Sequence, residues 1–453
     1  MFACQWDSSG ECRDWRIRDP AASVDKYLAA RLKAAMPKPR PNEIANKKAG
    51  AIPRSKWGRM SMLRKQIHTG WLVAAMVAFS SGGALAADTV RVGLIMTMTG
   101  QQTAVGKQVV AAARLYMQQH GDTIAGKKIE LIVKDDAGIA DNTKRLAQEL
   151  IVNEKVAFLA GMGLTPLAFA VAPLATEAKV PLIDMVAAAS VITEKSPYIV
   201  RVSFTLPQHA VAIADWAAKN GSKRAVTLVT DYAPGVDAET FFKTRFTEAG
   251  GTIIDSIRVP LMAPDFAPFL QRAQDAAPDT LFVFIPAGKA GAFSRQFVER
   301  GLNKASIKLI GVPDITDDDE LNGMGDHIIG TVTSGNYSAA HPSPMNKAYV
   351  EAFKKANDGL RPNFISLGGY DGMHVIYEAL NKTKGSTAGD ALINAMKGMA
   401  WESPRGPISI DPDTRDIVQN IYIRRVEKVN GELYNIEFMS YDQMKDPGKL
   451  AKK

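Results

Sequence analysis

The sequence predicts an α/β protein in which parallel sheets are covered by helices on both faces. Short runs of branched apolar residues alternate with amphipathic stretches of helical length, and this alternation is typical of βαβ units. The alternation occurs in two series, which start at residues 89 and 207, and each series has its own first strand. At this chain length two lobes are more favourable than one compact core.

In the first series Val, Ile and Leu dominate the strands, and Asp, Asn or Pro open the helices. Its predicted strands are 89–96, 127–136, 156–161 and 180–186, with helices 107–120, 141–154 and 166–179. The second series has predicted helices at 207–220, from 236, at 265–277 and at 288–301, with strands 225–230, 252–260, 280–285 and 306–311. Two further strands are predicted at 417–429 and 431–439.

Residues 60–87 have the pattern of a cleavable signal peptide. Arg64 and Lys65 form a positive region, an apolar run covers 71–79, and residues 84–86 read Ala-Leu-Ala. Nine apolar residues are too few for a membrane anchor, which needs roughly 20. The alternative is a buried core helix. Export and cleavage predict a periplasmic protein whose mature chain begins at Ala87 or Asp88.

Residues 1–59 precede this signal and have no hydrophobic periodicity. They are interpreted as the product of a start codon assigned too far upstream; the alternative is a translated, disordered extension. Residues 1–87 contain 15 Lys and Arg against 6 acidic residues, which leaves 40 against 41 in the remainder, so the net +8 belongs to the leader. A basic nucleic-acid-binding surface is therefore not indicated.

Both cysteines, Cys4 and Cys12, lie in the leader. The predicted mature chain thus lacks disulfides, Cys-ligated zinc and thiol catalysis. The five histidines after residue 88 show no ligand spacing, and residues 316–320 (TDDDE) are interpreted as a helix cap in preference to a metal site. No nucleophile elbow, zinc-protease motif or Walker A loop is present, so we expect neither an enzyme, nor a metal, nor a cofactor.

Ligands of parallel α/β sheets bind at the carboxyl ends of the strands. Six such ends are rich in Gly, Thr, Ser and Ala, which let a ligand approach backbone amides: MTMTGQQTAVG, AGMGLTP, DMVAAAS, TDYAPGVD, IPAGKAG and GVPDITDDDE. Helix N-termini after the second and third of these loops would favour an anion such as a carboxylate. The alternative is that Gly and Thr only turn the chain.

Seven segments of the chain resemble one family: VRVGLIMTMTGQQTAVGKQ, KIELIVKDDAGIADNTKRLAQELI, FLAGMGLTPLAFAVAPLATEAKVPLI, YIVRVSF, VTLVTDYAPGVDAETFF, DTLFVFIPAG and FISLGGYDGMHVIYEAL. The family is that of type I periplasmic solute-binding proteins of the leucine/isoleucine/valine-binding kind, which supply ABC importers of the branched-chain amino acid type.

The resemblance implies two Rossmann-like lobes joined by a three-segment hinge that closes on ligand. Lobe one would contain 88–206 and 336–408, and lobe two 207–335 and 409–453. The implied partners are a small ligand and the permease subunits of the importer, with no nucleic acid. A monomer is expected.

The resemblance also implies the ligand-binding residues of lobe one. Thr165 matches a hydroxyl that clamps the ligand carboxylate, and it would alternatively cap the helix that follows. The next clamp position falls on Ala187 and Ala188, where the expected hydroxyl is absent, and Ser190 lies two residues on.

In lobe two, Tyr232 matches a cleft tyrosine, Ala287 lies in a loop where members carry a tyrosine, and Asp314 is nearest to the acid that binds an ammonium. Phe204 and Tyr370 are candidate cleft aromatics; the alternatives are hinge packing for Phe204 and a rim position for Tyr232 and Tyr370. The departures from the family pattern favour a branch that takes up aromatic carboxylates. Branched-chain amino acids proper, or a role as a ligand-sensing receptor subunit, are the alternatives.

Overall fold

The computed structural model describes residues 5–6, 12–13, 88–262 and 265–450 of the chain. Near the N-terminus, β1 (Gln5–Trp6) pairs antiparallel with β2 (Cys12–Arg13). Apart from these two strands, the predicted leader and the predicted signal peptide lie outside the described residues. Among the helices that are described, none is long and apolar enough to cross a membrane.

The first series forms a six-stranded sheet. Its strands are β3 (Thr89–Met96), β4 (Thr123–Ile124), β5 (Lys127–Asp135), β6 (Phe158–Gly161), β7 (Leu182–Asp184) and β8 (Ile199–Arg201). Its helices are α1 (Thr103–His120), α2 (Ala140–Val152) and α3 (Thr165–Ala178). The spatial order is β4-β5-β3-β6-β7-β8, and every pairing is parallel except that of β4 with β5. Strand β3 is almost entirely buried because helices cover both faces of the sheet.

The second series forms a nine-stranded mixed sheet. Its strands are β9 (Arg224–Asp231), β10 (Thr252–Pro260), β11 (Thr280–Phe284), β12 (Lys308–Gly311), β13 (Val332–Gly335), β14 (Ala400–Ser403), β15 (Gly406–Ile410), β16 (Ile417–Val429) and β17 (Glu432–Met444). The order is β10-β9-β11-β12-β13-β16-β15-β14, with β17 paired to β16. The first five strands of this order are parallel, and the remaining pairings are antiparallel.

The remaining helices connect or follow these strands. They are α4 (Leu206–Lys219), α5 (Ala233–Glu248), α6 (Ala267–Asp275), α7 (Ala290–Glu299), α8 (Leu321–Met324), α9 (Pro344–Ala356), α10 (Phe364–Lys382), α11 (Gly389–Met396) and α12 (Pro447–Leu450). Helix α10 returns to the first sheet and packs along α1, where the rings of Tyr116 and Tyr370 lie 5.0 Å apart. The predicted α/β class with two sheets is confirmed.

Sheet pairing revises one predicted boundary. Lobe one was expected to extend to residue 408, but that residue lies inside β15, which pairs with β14 and β16 in the second sheet. Because a hairpin cannot be divided between two lobes without losing its hydrogen bonds, the last crossover precedes β14. The assignment of the other boundaries to lobes stays a prediction.

Two fully buried arginines hold the crossovers together. Arg201 Nε lies 3.2 Å from Asp184 Oδ2 and its Nη1 3.2 Å from Asp416 Oδ1. Arg405 Nη1 donates to the carbonyl oxygen of Ser203 at 2.9 Å, and Arg405 Nη2 pairs with Asp371 at 2.9 Å. Buried charges need such partners, since an unpaired charge is strongly destabilising.

Candidate ligand-binding site

A cavity lies between the carboxyl ends of the two sheets, among the loops that follow their strands. The cavity is lined by Gln102, Val105, Gly163, Leu164, Thr165, Val186, Ala187, Ala188, Phe204, Leu206, Tyr232, Pro234, Phe284, Pro286, Ala287, Asp314 and Ile365. None of these described residues is Lys, Arg or His.

Seven of the nine predicted site residues line this cavity: Thr165, Ala187, Ala188, Phe204, Tyr232, Ala287 and Asp314. Ser190 and Tyr370 do not. The Ser190 hydroxyl donates to Asp446 at 2.6 Å, and the Tyr370 hydroxyl donates to Gln119 at 2.7 Å. Both are occupied in structural contacts away from the cavity, so neither is retained as a ligand contact.

Thr165 is presented by a constrained loop after β6. Gly161 has φ +110°, and a Cβ there would lie 2.2 Å from the carbonyl oxygen of Ile95. Met162 is also left-handed at φ +69°, a conformation that is uncommon for a residue with a side chain. The Thr165 hydroxyl is buried and has no hydrogen-bond partner among the described residues. The capping interpretation is wrong, because the helix begins at Thr165 itself and its N-cap, Leu164, makes no side-chain bond.

The loop after β7 offers a backbone donor beside this hydroxyl. The Ala187 N–H is already used, since it donates to the carbonyl oxygen of Met162 at 3.0 Å. In the described part of the chain the Ala188 N–H has no hydrogen-bond partner. A hydroxyl and an amide N–H without partners are suitable donors for a carboxylate.

Five helices begin at the cavity, and their N-termini provide positive potential without a cation. The cavity is lined by Val105 in the first turn of α1, Thr165 of α3, Leu206 of α4, Pro234 of α5 and Ile365 of α10. Each helix N-terminus carries about half a positive charge. The site therefore favours an anion through dipoles alone.

Asp314 is the one acidic side chain among the described lining residues. It lies on the turn Pro313–Thr316 after β12, and its Oδ1 accepts a hydrogen bond of 3.0 Å from the Ala287 N–H. Its Oδ2 is buried and has no partner among the described residues. Burial raises the pKa of Asp314 to about 7, although the Ala287 amide acts in the opposite direction. Burial, reinforced by Asp314, likewise raises the pKa of Tyr232 well above its ordinary value.

Aromatic rings form the walls of the cavity. The ring of Tyr232 stacks on Phe284 with centroids 6.0 Å apart, and Phe204 stacks on His209 at 5.1 Å. Phe204 also contacts Phe364 edge to face at 5.3 Å. Phe204 thus packs at the crossover and also lines the cavity, and its contact with a ligand stays a prediction. A slot between such rings accommodates a flat apolar ligand.

The sequence did not single out Gln102, although its loop was among the six candidates. Gln102 follows β3, and its Nε2 donates to the carbonyl oxygen of Ala287 at 3.1 Å, which joins the first sheet's loops to the second's. The sequence signal available was only a polar residue in a Gly/Thr-rich loop. The contact joins residues 185 positions apart, and no local pattern reveals such a pairing.

The acidic segment 316–320 does not cap its own helix. Glu320, the N-cap of α8, makes no side-chain capping bond there; its Oε2 instead accepts from the Gly291 N–H, in the first turn of α7, at 2.8 Å. Asp317 and Asp318 accept hydrogen bonds from Asn363 and Asn435 at 3.0 and 3.1 Å. Across the described residues, no group of His, Cys, Asp or Glu is arranged to hold a metal ion.

Comparison with known proteins agrees with this architecture. The family model of the periplasmic binding proteins matches residues 89–432. The Leu/Ile/Val-binding protein homolog 6 of Brucella abortus is 41% identical over 84% of this chain and 98% of its own length.

Two solved structures are also similar. A solute-binding protein of an ABC transporter from Rhodopseudomonas palustris BisB5, in complex with 3,4-dihydroxybenzoic acid, is 65% identical with a TM-score of 0.79, and covers 80% of this chain and 99% of its own. Another from R. palustris HaA2, in complex with p-hydroxybenzoic acid, is 41% identical with a TM-score of 0.78 over 81% of this chain and 100% of its own. On the fold, the cavity and these matches, the chain belongs to the periplasmic binding protein family and has the architecture of ABC-transporter solute-binding proteins.

Proposed function

We propose that this protein is the extracytoplasmic substrate-binding subunit of an ABC importer of the branched-chain amino acid type, and that it binds a small aromatic carboxylate between two closing lobes. The observation that carries the proposal is the buried Thr165 hydroxyl, which belongs to a cavity-lining residue and has no partner in the part of the chain that the structure describes. Leaving a buried hydroxyl unpaired is unfavourable by about 1–3 kcal/mol, so a ligand acceptor at this position would be stabilised.

The ligand carboxylate would lie at the N-terminus of α3. There it would accept hydrogen bonds from the Thr165 hydroxyl and from the Ala188 N–H. The aromatic body would lie against Phe204, Tyr232 and Phe284, which form apolar walls. This ligand class is that of the two R. palustris binding proteins, whose structures contain hydroxylated benzoic acids. No reacting group is required, and the ligand is released unchanged to the permease.

A branched-chain amino acid is the second candidate. Asp314 reaches the cavity, and its free Oδ2 is an acceptor to which an ammonium would bind. The Brucella relative also carries the name of a Leu/Ile/Val-binding protein homolog. Against this, an ammonium requires Asp314 to be ionised, whereas burial raises the pKa of that carboxyl.

Calorimetry on the purified protein, unfolded and refolded to remove co-purified ligand, decides between the two. The panel is benzoate, 4-hydroxybenzoate, 3,4-dihydroxybenzoate, leucine and valine. We expect micromolar or tighter binding of at least one benzoate and recovery of that ligand unchanged. Micromolar leucine binding with no response to any benzoate would replace the proposal by the amino-acid function.

A further inference from the structure

We propose that Asp314 is the specificity-determining residue of this site and accepts a hydrogen bond from a ring hydroxyl remote from the ligand carboxylate. The inference rests on the proposed function and goes beyond it. It predicts that the protein selects hydroxylated benzoates over benzoate itself.

The first step is the fixed position of the carboxyl group. The Ala287 N–H donates to Asp314 Oδ1, and the Ala287 carbonyl oxygen accepts from Gln102 Nε2. Both backbone groups of Ala287 are therefore hydrogen-bonded, and Asp314 is held with an Oδ2 that is buried and has no partner among the described residues. A buried acceptor without a donor needs one from the ligand.

The second step is the separation of the two polar ends. Thr165 and Ala188 belong to loops of the first sheet, whereas Asp314 follows a strand of the second sheet. The helix N-terminus at Thr165 attracts a ligand carboxylate, and Thr165 and Ala188 supply the hydrogen-bond donors that it needs. We therefore expect the ring to extend from the Thr165 end towards Asp314, with a hydroxyl remote from the carboxylate directed at Oδ2 and a 2-hydroxyl directed away from it.

The third step is the chemical type of the donor. No lysine, arginine or histidine lines the cavity among the described residues, so Asp314 has no cationic partner there. A phenolic hydroxyl donates to a carboxylate and also accepts from a carboxylic acid, and it matches either protonation state of the side chain. An apolar hydrogen at that ring position would leave Oδ2 unsatisfied.

Calorimetry with wild-type protein, Asp314→Asn and Asp314→Leu tests the assignment, with Asp326→Asn on the exposed surface as the matched control. The ligands are benzoate, 2-hydroxybenzoate, 4-hydroxybenzoate and 4-methylbenzoate. We expect wild-type protein and Asp326→Asn to bind 4-hydroxybenzoate roughly 10- to 100-fold more tightly than benzoate or 2-hydroxybenzoate. In Asp314→Leu this preference should disappear, and 4-methylbenzoate should bind more tightly than 4-hydroxybenzoate.

Asp314→Asn keeps an acceptor oxygen, so it should retain part of the preference for 4-hydroxybenzoate. This variant replaces Asp314→Leu as the test if the leucine variant fails to fold. A preference for 4-hydroxybenzoate that survives undiminished in both variants would overturn the role of Asp314 while leaving the proposed function intact. If the wild-type protein binds none of the benzoates, the proposed function is refuted instead.

Discussion

The side-chain amide of Gln102 and the carbonyl oxygen of Ala287 are joined by a hydrogen bond of 3.1 Å at the cavity, between a loop of the first sheet and a loop of the second. Because this bond forms only when the two loops meet, we expect Gln102→Ala to weaken ligand binding by about 0.5–1.5 kcal/mol. The loss should appear as faster ligand dissociation in stopped-flow experiments, with the association rate little changed. Gln101→Ala, at the exposed neighbouring position, is the control. Equal dissociation rates for the two variants would exclude a closing role for this bond.

Thr165→Val should change stability and affinity in opposite directions. The substitution keeps the buried volume and removes a hydroxyl that has no partner among the described residues. The free energy of unfolding of the ligand-free protein should therefore stay equal or increase by up to about 1 kcal/mol. Ligand affinity should decrease by about 1.5–3 kcal/mol, since a hydrogen bond to a carboxylate is lost. Urea unfolding measures the change in stability, and calorimetry measures the change in affinity.

Thr165→Ser is the control, because it keeps the hydroxyl and should bind the ligand nearly as well as the wild type. Failure of both variants to bind the ligand would indicate that Thr165 has a packing role.

Asp371→Asn should destabilise the fold far more than the same change at an exposed site. Asp371 is 1% exposed, and its Oδ2 lies 2.9 Å from the guanidinium of the fully buried Arg405. Removing the negative charge leaves that cation uncompensated, and we expect a loss of about 3–5 kcal/mol in the free energy of unfolding. Asp390→Asn, whose side chain is 67% exposed and pairs with Lys179, should lose far less stability because solvent screens the pair. Chemical denaturation of both variants measures the two losses in the free energy of unfolding. Similar losses would contradict the structural role of the Asp371–Arg405 pair.

Asp314 should make stability depend on pH in the neutral range. Its pKa lies near 7 in the folded protein and near 3.8 in the unfolded chain. Below pH 3.8 the carboxyl is protonated in both states and contributes nothing. As pH rises towards 7, the unfolded chain releases this proton while the folded protein retains it, so folding becomes less favourable. Above about 7 the penalty is constant.

The measurement is the difference in free energy of unfolding between Asp314→Asn and the wild type in the absence of ligand. The amide does not ionise, so this difference should shift in favour of the variant by on the order of 2–4 kcal/mol between pH 4 and pH 8. Titrations shared by both proteins cancel in the difference. A difference that does not vary with pH would show that Asp314 titrates at its ordinary pKa.

Export should depend on residues 60–87 and not on residues 1–59. We expect a gene that starts at Met60 to give periplasmic protein whose N-terminus, by mass spectrometry, is Ala87 or Asp88. The pattern of a positive region, an apolar run and Ala-Leu-Ala is the basis of this prediction. Native peptides from residues 1–59 in the source cells would contradict the misassigned start.

Local patterns were sufficient for most of the fold. The strands predicted at 252–260 and 417–429 coincide with β10 and β16, since branched apolar residues in such runs leave few alternatives. Helix starts were less accurate: α1 begins at Thr103, four residues before its predicted start. A preceding 3-10 turn at Gly100–Gln102 leads into that helix, and periodicity does not register it.

The sequence likewise predicted some residues of the candidate site and missed others. The loops of Thr165 and Asp314 were predicted because each follows a strand at the edge where such sheets bind ligands, and the two residues themselves were chosen by resemblance to the family. Ser190 was misplaced because its partner, Asp446, lies 256 residues away and occupies its hydroxyl. Gln102 was missed for the equivalent reason. Contacts between residues far apart in the chain decide which polar groups stay free for a ligand. Such contacts cannot be predicted from local patterns in a single sequence.

The absence of Lys, Arg and His among the described residues that line the cavity has a consequence for the conditions under which the protein works. Dipoles of helix ends act over a few ångströms, a distance shorter than the Debye length at physiological ionic strength. The ligand anion is consequently held by short-range interactions within the site, which salt screens only weakly. Ligand affinity measured at low and at high ionic strength should therefore differ little.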